Sequence, residues 1–223
     1  MKTELIECLG TDLTVVNAAR VSFDKESKWD KDVPFTGQKV LSDRDGKLIK
    51  YLARHKHFTP FTHCSITLRE TVPIFVARQR FKHTVGFSYN EVSRRYVDNE
   101  PEFFVPEFWR GKADNKKQGS SQEPLEYQKT ITSSYEDLME KCREVYNSFL
   151  NLHGVCPEQA RMLLPQSMYT SYYVTGSLFA FARAYMLRST DDAQYEIRTL
   201  ANNWNKIIKP LYPVSWSALV GDK

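Results

Sequence analysis

Arg78-Gln79-Arg80-Phe81-Lys82-His83-Thr84-Val85-Gly86-Phe87-Ser88-Tyr89-Asn90-Glu91-Val92-Ser93-Arg94-Arg95-Tyr96 is the stretch on which the reading of this chain turns. Arg78, Arg80, Lys82, Arg94 and Arg95 are opposed within it by Glu91 alone. The 223-residue chain as a whole is only mildly basic, with 31 Lys and Arg against 27 Asp and Glu and a formal net charge of +4. That balance is too small for a protein that coats nucleic acid, so the concentration of cations is local and predicts a small anionic ligand. Phe81, Phe87, Tyr89 and Tyr96 interleave with the cations. Guanidinium forks bind phosphates bidentately and aromatic faces stack on flat rings. The pattern therefore predicts a nucleotide or a flavin.

On the N-terminal side, Phe61 to Val72 reads as a strand, and Pro73 stops it and opens a helix carrying Ile74, Phe75, Val76, Ala77 and Phe81 inward. The cationic stretch is thus displayed at the end of a helix that follows a strand. Further back, Ser42 opens a helix through His57 with Leu48, Ile49 and Leu52 at helical spacing. Residues 11 to 23 read as a short capped helix, and residues 24 to 38, charged and carrying Pro34 and Gly37, as a loop.

On the C-terminal side, residues 98 to 124 read as a loop whose Phe103-Phe104-Val105 and Phe108-Trp109 cover something apolar. Glu123 to His153 is the longest helical pattern. Tyr127, Ile131, Tyr135, Leu138, Cys142, Val145, Phe149 and Leu152 form its apolar stripe, read as core or as a subunit-packing element. Pro157 to Leu164 is a short helix, Ser167 to Thr175 a strand, Ser177 to Arg188 a helix, and Thr190-Asp191 caps another helix that runs to Ile208 before Pro210. Strand signals are few among longer helices, which predicts one α+β domain over residues 1–223: a small, mainly antiparallel sheet packed with several long helices. No strand is followed by a G-x-G-x-x-G turn, so a dinucleotide-binding fold of the doubly wound type has no support.

Cys8, Cys64, Cys142 and Cys156 form no paired-cysteine motif and are expected to be reduced, mostly buried thiols. Cys64 beside His63 invites a nucleophile reading, which strand alternation opposes. His55, His57 and His63 alternate but straddle a helix end and Pro60, and no carboxylate partners are evident, so no metal is expected. No segment is apolar enough to span a bilayer and no basic leader precedes an apolar run, so a soluble, cytoplasmic protein is expected.

Gln79-x-Phe81-Lys82-His83 followed by Ser88-x-Asn90-Glu91-x-Ser93-x-Arg95-Tyr96 resembles the signature of the flavin-dependent thymidylate synthases, the ThyX family. The resemblance continues in family order through Ala18-Ala19-Arg20-Val21-Ser22-Phe23, His57-Phe58-Thr59-Pro60-Phe61-Thr62-His63, Ala160-Arg161-x-x-Leu164-Pro165 and Leu187-Arg188-x-x-x-Asp192-Ala193-Gln194-x-Glu196-Ile197. It implies conversion of dUMP to dTMP, with methylenetetrahydrofolate as carbon donor and FAD, reduced by NADPH, as hydride source. It also implies a homotetramer with sites between subunits. By the same resemblance Arg188 is the catalytic arginine that favours the N3-deprotonated uracil ring, and Gln79, Glu91, Ser93, Arg94, Arg95 and Arg161 join it in contacting dUMP. Ser22, His57, Thr59, Lys82, His83, Thr84, Asn90, Glu91, Ser177 and Arg183 fall at FAD positions. On the residues alone, Arg188 reads as a cation at a helix C-terminus.

The chain departs from the family pattern at several positions. Lys82-His83-Thr84 stands where Arg-His-Arg is common, and Val85-Gly86-Phe87 is one residue longer. Ser177 and Phe179 stand at positions of Asn and Arg, and Arg183 at that of an Asn. These departures bear on the FAD contacts more than on those to dUMP, with Arg78 or Arg80 as candidates to replace the missing guanidinium. Two other readings compete: a module stacking single-stranded nucleic acid on the Arg-aromatic stretch, and a flavin and nucleotide binder with altered catalysis.

Overall fold

Ile66, Leu68, Glu70 and Val72 recur at every second position of one strand and are all buried, while Thr67, Arg69 and Thr71 between them face the other way. This strand lies inside the sheet that organises the molecule. The computed structural model describes residues 1–33, 38–113 and 120–221. In chain order its elements are β1 (Lys2–Leu9), α1 (Asp12–Arg20), β2 (Lys31–Val33), β3 (Gln38–Val40), α2 (Asp43–Arg54), β4 (Ser65–Pro73), α3 (Ile74–Arg80) and β5 (Phe87–Glu91). There follow β6 (Arg110–Lys112), β7 (Ser120–Pro124), α4 (Gln128–Asn151), α5 (Pro157–Ala160), β8 (Tyr169–Ser177), α6 (Leu178–Arg188), α7 (Tyr195–Leu211) and α8 (Pro213–Val220).

The main sheet has the order β1-β4-β8-β5, and every neighbouring pair in it is antiparallel. The architecture is α+β, as expected. β4 and β8 are paired over their whole length, from Ser65 opposite Ser177 to Pro73 opposite Tyr169. At the β8–β5 seam Gly176 faces Phe87, and a Cβ on Gly176 would lie 2.4 Å from that ring, so only glycine fits. One face of the sheet is apolar and is covered by α6, α7 and their neighbours, with Phe181, Trp204, Tyr212 and Trp216 fully buried. Burying one such side chain is worth roughly 1.5–3 kcal/mol. The other face is polar: Thr67 bonds Thr175 at 2.9 Å, and Arg69 and Thr71 both donate to the Ser171 hydroxyl.

Local chemistry explains most boundaries. The Ser42 hydroxyl accepts from the Asp45 amide at the start of α2, and the Ser177 hydroxyl from the Ala180 amide at the start of α6. Asp12, buried on α1, accepts from the Val214 and Ser215 amides at 2.9 Å each and so caps α8, a helix the sequence reading did not resolve.

Several expectations are corrected. The strand begins at Ser65 rather than Phe61, because Pro60 holds Thr59–Thr62 in a 3-10 turn. The helix after α6 begins at Tyr195, not at Thr190-Asp191; the Thr190 carbonyl closes a turn with the Ala193 amide first. That helix also passes Pro210 and ends at Leu211. The loop read over 98 to 124 contains β6 and β7. Its aromatics do cover apolar surface: Phe104 packs on Phe75, Phe108 on Tyr195 and Trp109 on Tyr135. Pro34, Gly37 and residues 114–119 lie outside the described residues. On α4 the buried side chains are Met139 and Tyr146, while Tyr127, Leu138 and Leu152 are exposed, so much of that stripe is not core of this chain. Cys64 is buried, but Cys8 and Cys156 are exposed, against the expectation of mostly buried thiols.

Candidate functional site

The cationic stretch spans the end of α3, a turn and β5, and its charges have different fates. Arg80 is fully buried. Its Nε donates to Glu70 Oε2 at 3.3 Å and its Nη1 to the Tyr89 hydroxyl at 2.7 Å, while its guanidinium lies over Phe87 at 4.3 Å and over Trp204 at 4.6 Å. The Glu70 carboxylate also accepts from Tyr172 at 2.6 Å and Trp204 at 2.7 Å. Arg80 is therefore part of the core. It neither adds to an anion site nor replaces the guanidinium missing at Thr84, and Glu91 is not the stretch's sole counter-charge. Arg95 lies 3.7 Å from Glu158 as well.

The candidate nucleotide residues fall into two groups. Glu91, Ser93, Arg94 and Arg161 line one cavity of about 570 Å³, together with Arg69, on the polar face of the sheet. Glu91 accepts from Thr170 at 2.6 Å, the Arg94 guanidinium donates to the Asn99 carbonyl, and Arg161 Nε donates to the Glu158 carbonyl at 3.1 Å. The Ser93 hydroxyl accepts from the Arg95 amide. Arg95 itself is exposed and is turned toward Glu158 and the Tyr96 ring.

Gln79 and Arg188 form the second group, away from that cavity. Arg188, the last residue of α6, donates from Nε to His83 Nε2 at 2.9 Å and from Nη2 to the Gln79 carbonyl at 3.5 Å. The Gln79 side-chain amide donates to Gln194. Burial, followed by the Arg188, Arg80 and Arg183 guanidinium groups, pushes His83 from its usual 6.5 to about 4. The imidazole is thus neutral at physiological pH, with Nε2 the acceptor and the proton on Nδ1. Burial also lowers the Arg188 pKa. Both of these partners of Arg188 are uncharged, so neither cancels its cation.

The candidate flavin residues also divide. His57, Ser177 and Arg183 line an apolar cavity of about 800 Å³ with Lys56, Phe58, Phe61, Val85, Gly86 and Phe179. Phe179 stacks on Phe58 with centroids 5.2 Å apart, and the Arg183 guanidinium lies 5.9 Å from the Phe179 ring. The departure at Phe179 thus builds an aromatic wall under the departure at Arg183. An apolar cleft with a flat wall and Lys56, Arg183 and His57 at its rim fits a ring joined to phosphates. Lys82, Thr84 and Asn90 are exposed, as are Thr59 in the turn before β4 and Ser22 in the turn after α1. None of these five lines that cavity. His83 sits with Arg188.

Cys64, the candidate nucleophile beside His63, is buried, and burial together with Asp12 pushes its thiol up to about 12, so it stays protonated. Among the described residues no three His, Cys, Asp or Glu side chains are arranged to hold a metal, and no helix is long and apolar enough to cross a membrane. The sequence reading missed the Glu70–Arg80–Tyr89 cluster. Its signal was present: Glu70 shares the inward parity of Ile66, Leu68 and Val72, and a carboxylate on a buried strand face requires a partner.

With this geometry in place, comparison with known proteins decides the family. The family described as thymidylate synthase complementing protein matches residues 4–214. The chain belongs to this family. It is 35% identical over 217 residues to the flavin-dependent thymidylate synthase of Thermosipho melanesiensis, an alignment covering 97% of this chain and 89% of that protein. It is also 35% identical over 216 residues to an enzyme of the same name from Thermus thermophilus, covering 96% and 73%. Among solved structures, the UMP/dUMP methylase PolB from Streptomyces cacaoi, bound with 5-Br UMP, superposes with a TM-score of 0.82 at 28% identity, covering 97% of this chain and 92% of that one. As a member of the thymidylate synthase family the chain is a methyltransferase, and the two competing readings are not favoured.

Proposed function

We propose that this thymidylate synthase methylates dUMP at C5, with methylenetetrahydrofolate as carbon donor and an FAD that NADPH reduces. When bound, the reduced flavin supplies the hydride that turns the transferred methylene into methyl. The observation that carries the proposal is Arg188, a cation held by the neutral His83 imidazole and the Gln79 carbonyl. A guanidinium placed at uracil O2 and N3 stabilises the N3-deprotonated ring and makes C5 more nucleophilic. No protein nucleophile is required, in keeping with the buried, protonated Cys64. Arg94, Arg161 and Ser93 supply donors for the phosphate, and Glu91 an acceptor for a sugar or base N–H or O–H. Lys56 and Arg183 supply cations, His57 a hydrogen-bonding imidazole and the Phe58–Phe179 wall a flat face for FAD.

A homotetramer accounts for the distribution of these residues. The Glu91 cavity opens at the start of β8 and the Phe179 cavity at its end, about 26 Å apart at 3.3 Å per residue. Residues that serve one reaction but lie at opposite ends of a sheet are brought together when a second copy presents its other end. Exposed Val85, Tyr96, Leu138, Met162 and Leu187 supply apolar surface for such contacts. We place the enzyme in the cytoplasm, where reduced pyridine nucleotide is available.

The test is dTMP formation by the purified protein from dUMP, methylenetetrahydrofolate, FAD and NADPH, with each omitted in turn. Product that requires all of them supports the reading. No product from folded, flavin-loaded protein overturns it.

A further inference from the structure

Lys82, Thr84, Val85 and Gly86 are exposed, and His83 alone in that run is half-buried. Nothing in the run itself fixes the imidazole, yet its Nε2 meets Arg188 Nε at 2.9 Å. The restraint comes from beneath. The Tyr89 hydroxyl donates to the His83 carbonyl at 2.7 Å and accepts from Arg80 Nη1 at 2.7 Å, while the His83 amide donates to the Arg80 carbonyl at 3.1 Å. Arg80 is in turn held by Glu70, whose carboxylate also accepts from Tyr172 and Trp204. The Tyr89 ring is wedged against Phe81 at 5.0 Å, so its hydroxyl cannot follow a drifting turn.

We propose that Tyr89 is a positioning residue for the reaction: clamped by the buried Arg80, it fixes the His83 backbone, so that the imidazole holds the Arg188 guanidinium in its working orientation. This rests on the reading of Arg188 as the group that activates the pyrimidine. The clamp suits its task chemically. Burial is the main cause that raises the Tyr89 hydroxyl to about 12, so it remains a donor over the whole working range. A neutral imidazole accepts from a guanidinium without cancelling its charge, and the charged groups that depress His83 are the cations Arg80 from α3 and Arg183 and Arg188 from α6. The same turn carries the departures at Lys82 and Thr84, which leave it with fewer guanidinium contacts of its own than the family pattern supplies.

The test compares Tyr89→Phe with Tyr172→Phe in the full-length, flavin-loaded enzyme. Each removes one hydroxyl from the same buried cluster, but only Tyr89 reaches His83; Glu70 keeps Arg80 and Trp204 as partners when Tyr172 loses its hydroxyl. Tyr89→Phe is expected to lower kcat about tenfold, the scale of a sub-ångström misplacement of a reacting group, with KM for dUMP nearly unchanged. The acid limb of its kcat–pH profile should move to higher pH, because a loosened guanidinium stabilises the N3-deprotonated ring less. Tyr172→Phe should lower the thermal midpoint at least as much while retaining kcat and the wild-type limb. Equal kcat and unshifted limbs in both variants, with Arg188→Ala inactive, would overturn the positioning role and leave Arg188 as the activator. Near-normal turnover in Arg188→Ala would instead remove the activator and the inference with it.

Discussion

Arg80 and Arg188 both meet the turn around His83, one through its backbone and the other through its imidazole, and they show two uses of a guanidinium. Arg80 is fully buried and is met by a carboxylate, the Tyr89 hydroxyl and aromatic faces. Arg188 is half-buried and is met by a neutral imidazole and a carbonyl. The first charge is cancelled inside the protein and contributes order. The second is cancelled by neither of these partners, as the role proposed for it requires. What a cation does thus follows from its partner's charge more than from its own burial, and that contrast predicts different consequences for the loss of each.

The largest effect belongs to the buried pair. Arg80→Met strands the Glu70 carboxylate in the core and should cost about 3–5 kcal/mol of stability, the range for breaking a buried ion pair. Adding Glu70→Leu should recover part of that loss, since it removes the stranded charge, but it leaves the buried Tyr172 hydroxyl and Trp204 indole N–H without their acceptor. Chemical denaturation of both variants checks this. If the double variant is no more stable than Arg80→Met, the cost lies in packing against Phe87 and Trp204 and in the donors Glu70 satisfied, and not in the charge.

Arg188→Ala comes next and should act on a different axis. Loss of a single preorganised donor to developing charge typically lowers kcat by about 10²–10³-fold, and the fold and bound flavin should persist, since neither partner of Arg188 is left charged. A comparable loss of stability would erase the contrast with Arg80.

Much of this was legible in the sequence, for identifiable reasons. The alternation of Ile66, Leu68, Glu70 and Val72, the caps at Ser42 and Ser177 and the proline at 73 are local signals, and the corresponding elements formed where those signals stand. The boundaries that shifted lie where tertiary contacts govern: α8 is capped by Asp12 from the far end of the chain, and the start of α7 is set by a turn through Ala193. Motif resemblance named the site residues, but it could not distinguish Arg80 from its neighbours Arg78 and Lys82. That distinction depends on Glu70, ten residues earlier and on another element. The exposed face of α4 was read by spacing as a single stripe, which does not reveal that Leu138 and Leu152 face away from this chain's own core.

The smallest effect lies in the acid range, where the comparison is sharpest. His83 is neutral when folded, with a pKa of about 4 against the usual 6.5, so between those values the unfolded chain binds more protons than the folded one. Stability should therefore be flat above about pH 6.5 and fall as the pH drops toward 4, modestly because the imidazole is only half-buried. Asp45 acts at a lower pH. Burial alone would raise its pKa, but hydrogen bonds from Arg20, Ser42 and Ser27 outweigh that and lower it below the usual 3.8, so its contribution is lost only in stronger acid. His83→Gln keeps an acceptor for Arg188 but cannot titrate. The thermal midpoint of that variant should stay level between pH 6.5 and 4.5 where the wild type declines. A parallel decline in both would assign the acid sensitivity to another group and remove the support for a neutral His83 beside Arg188.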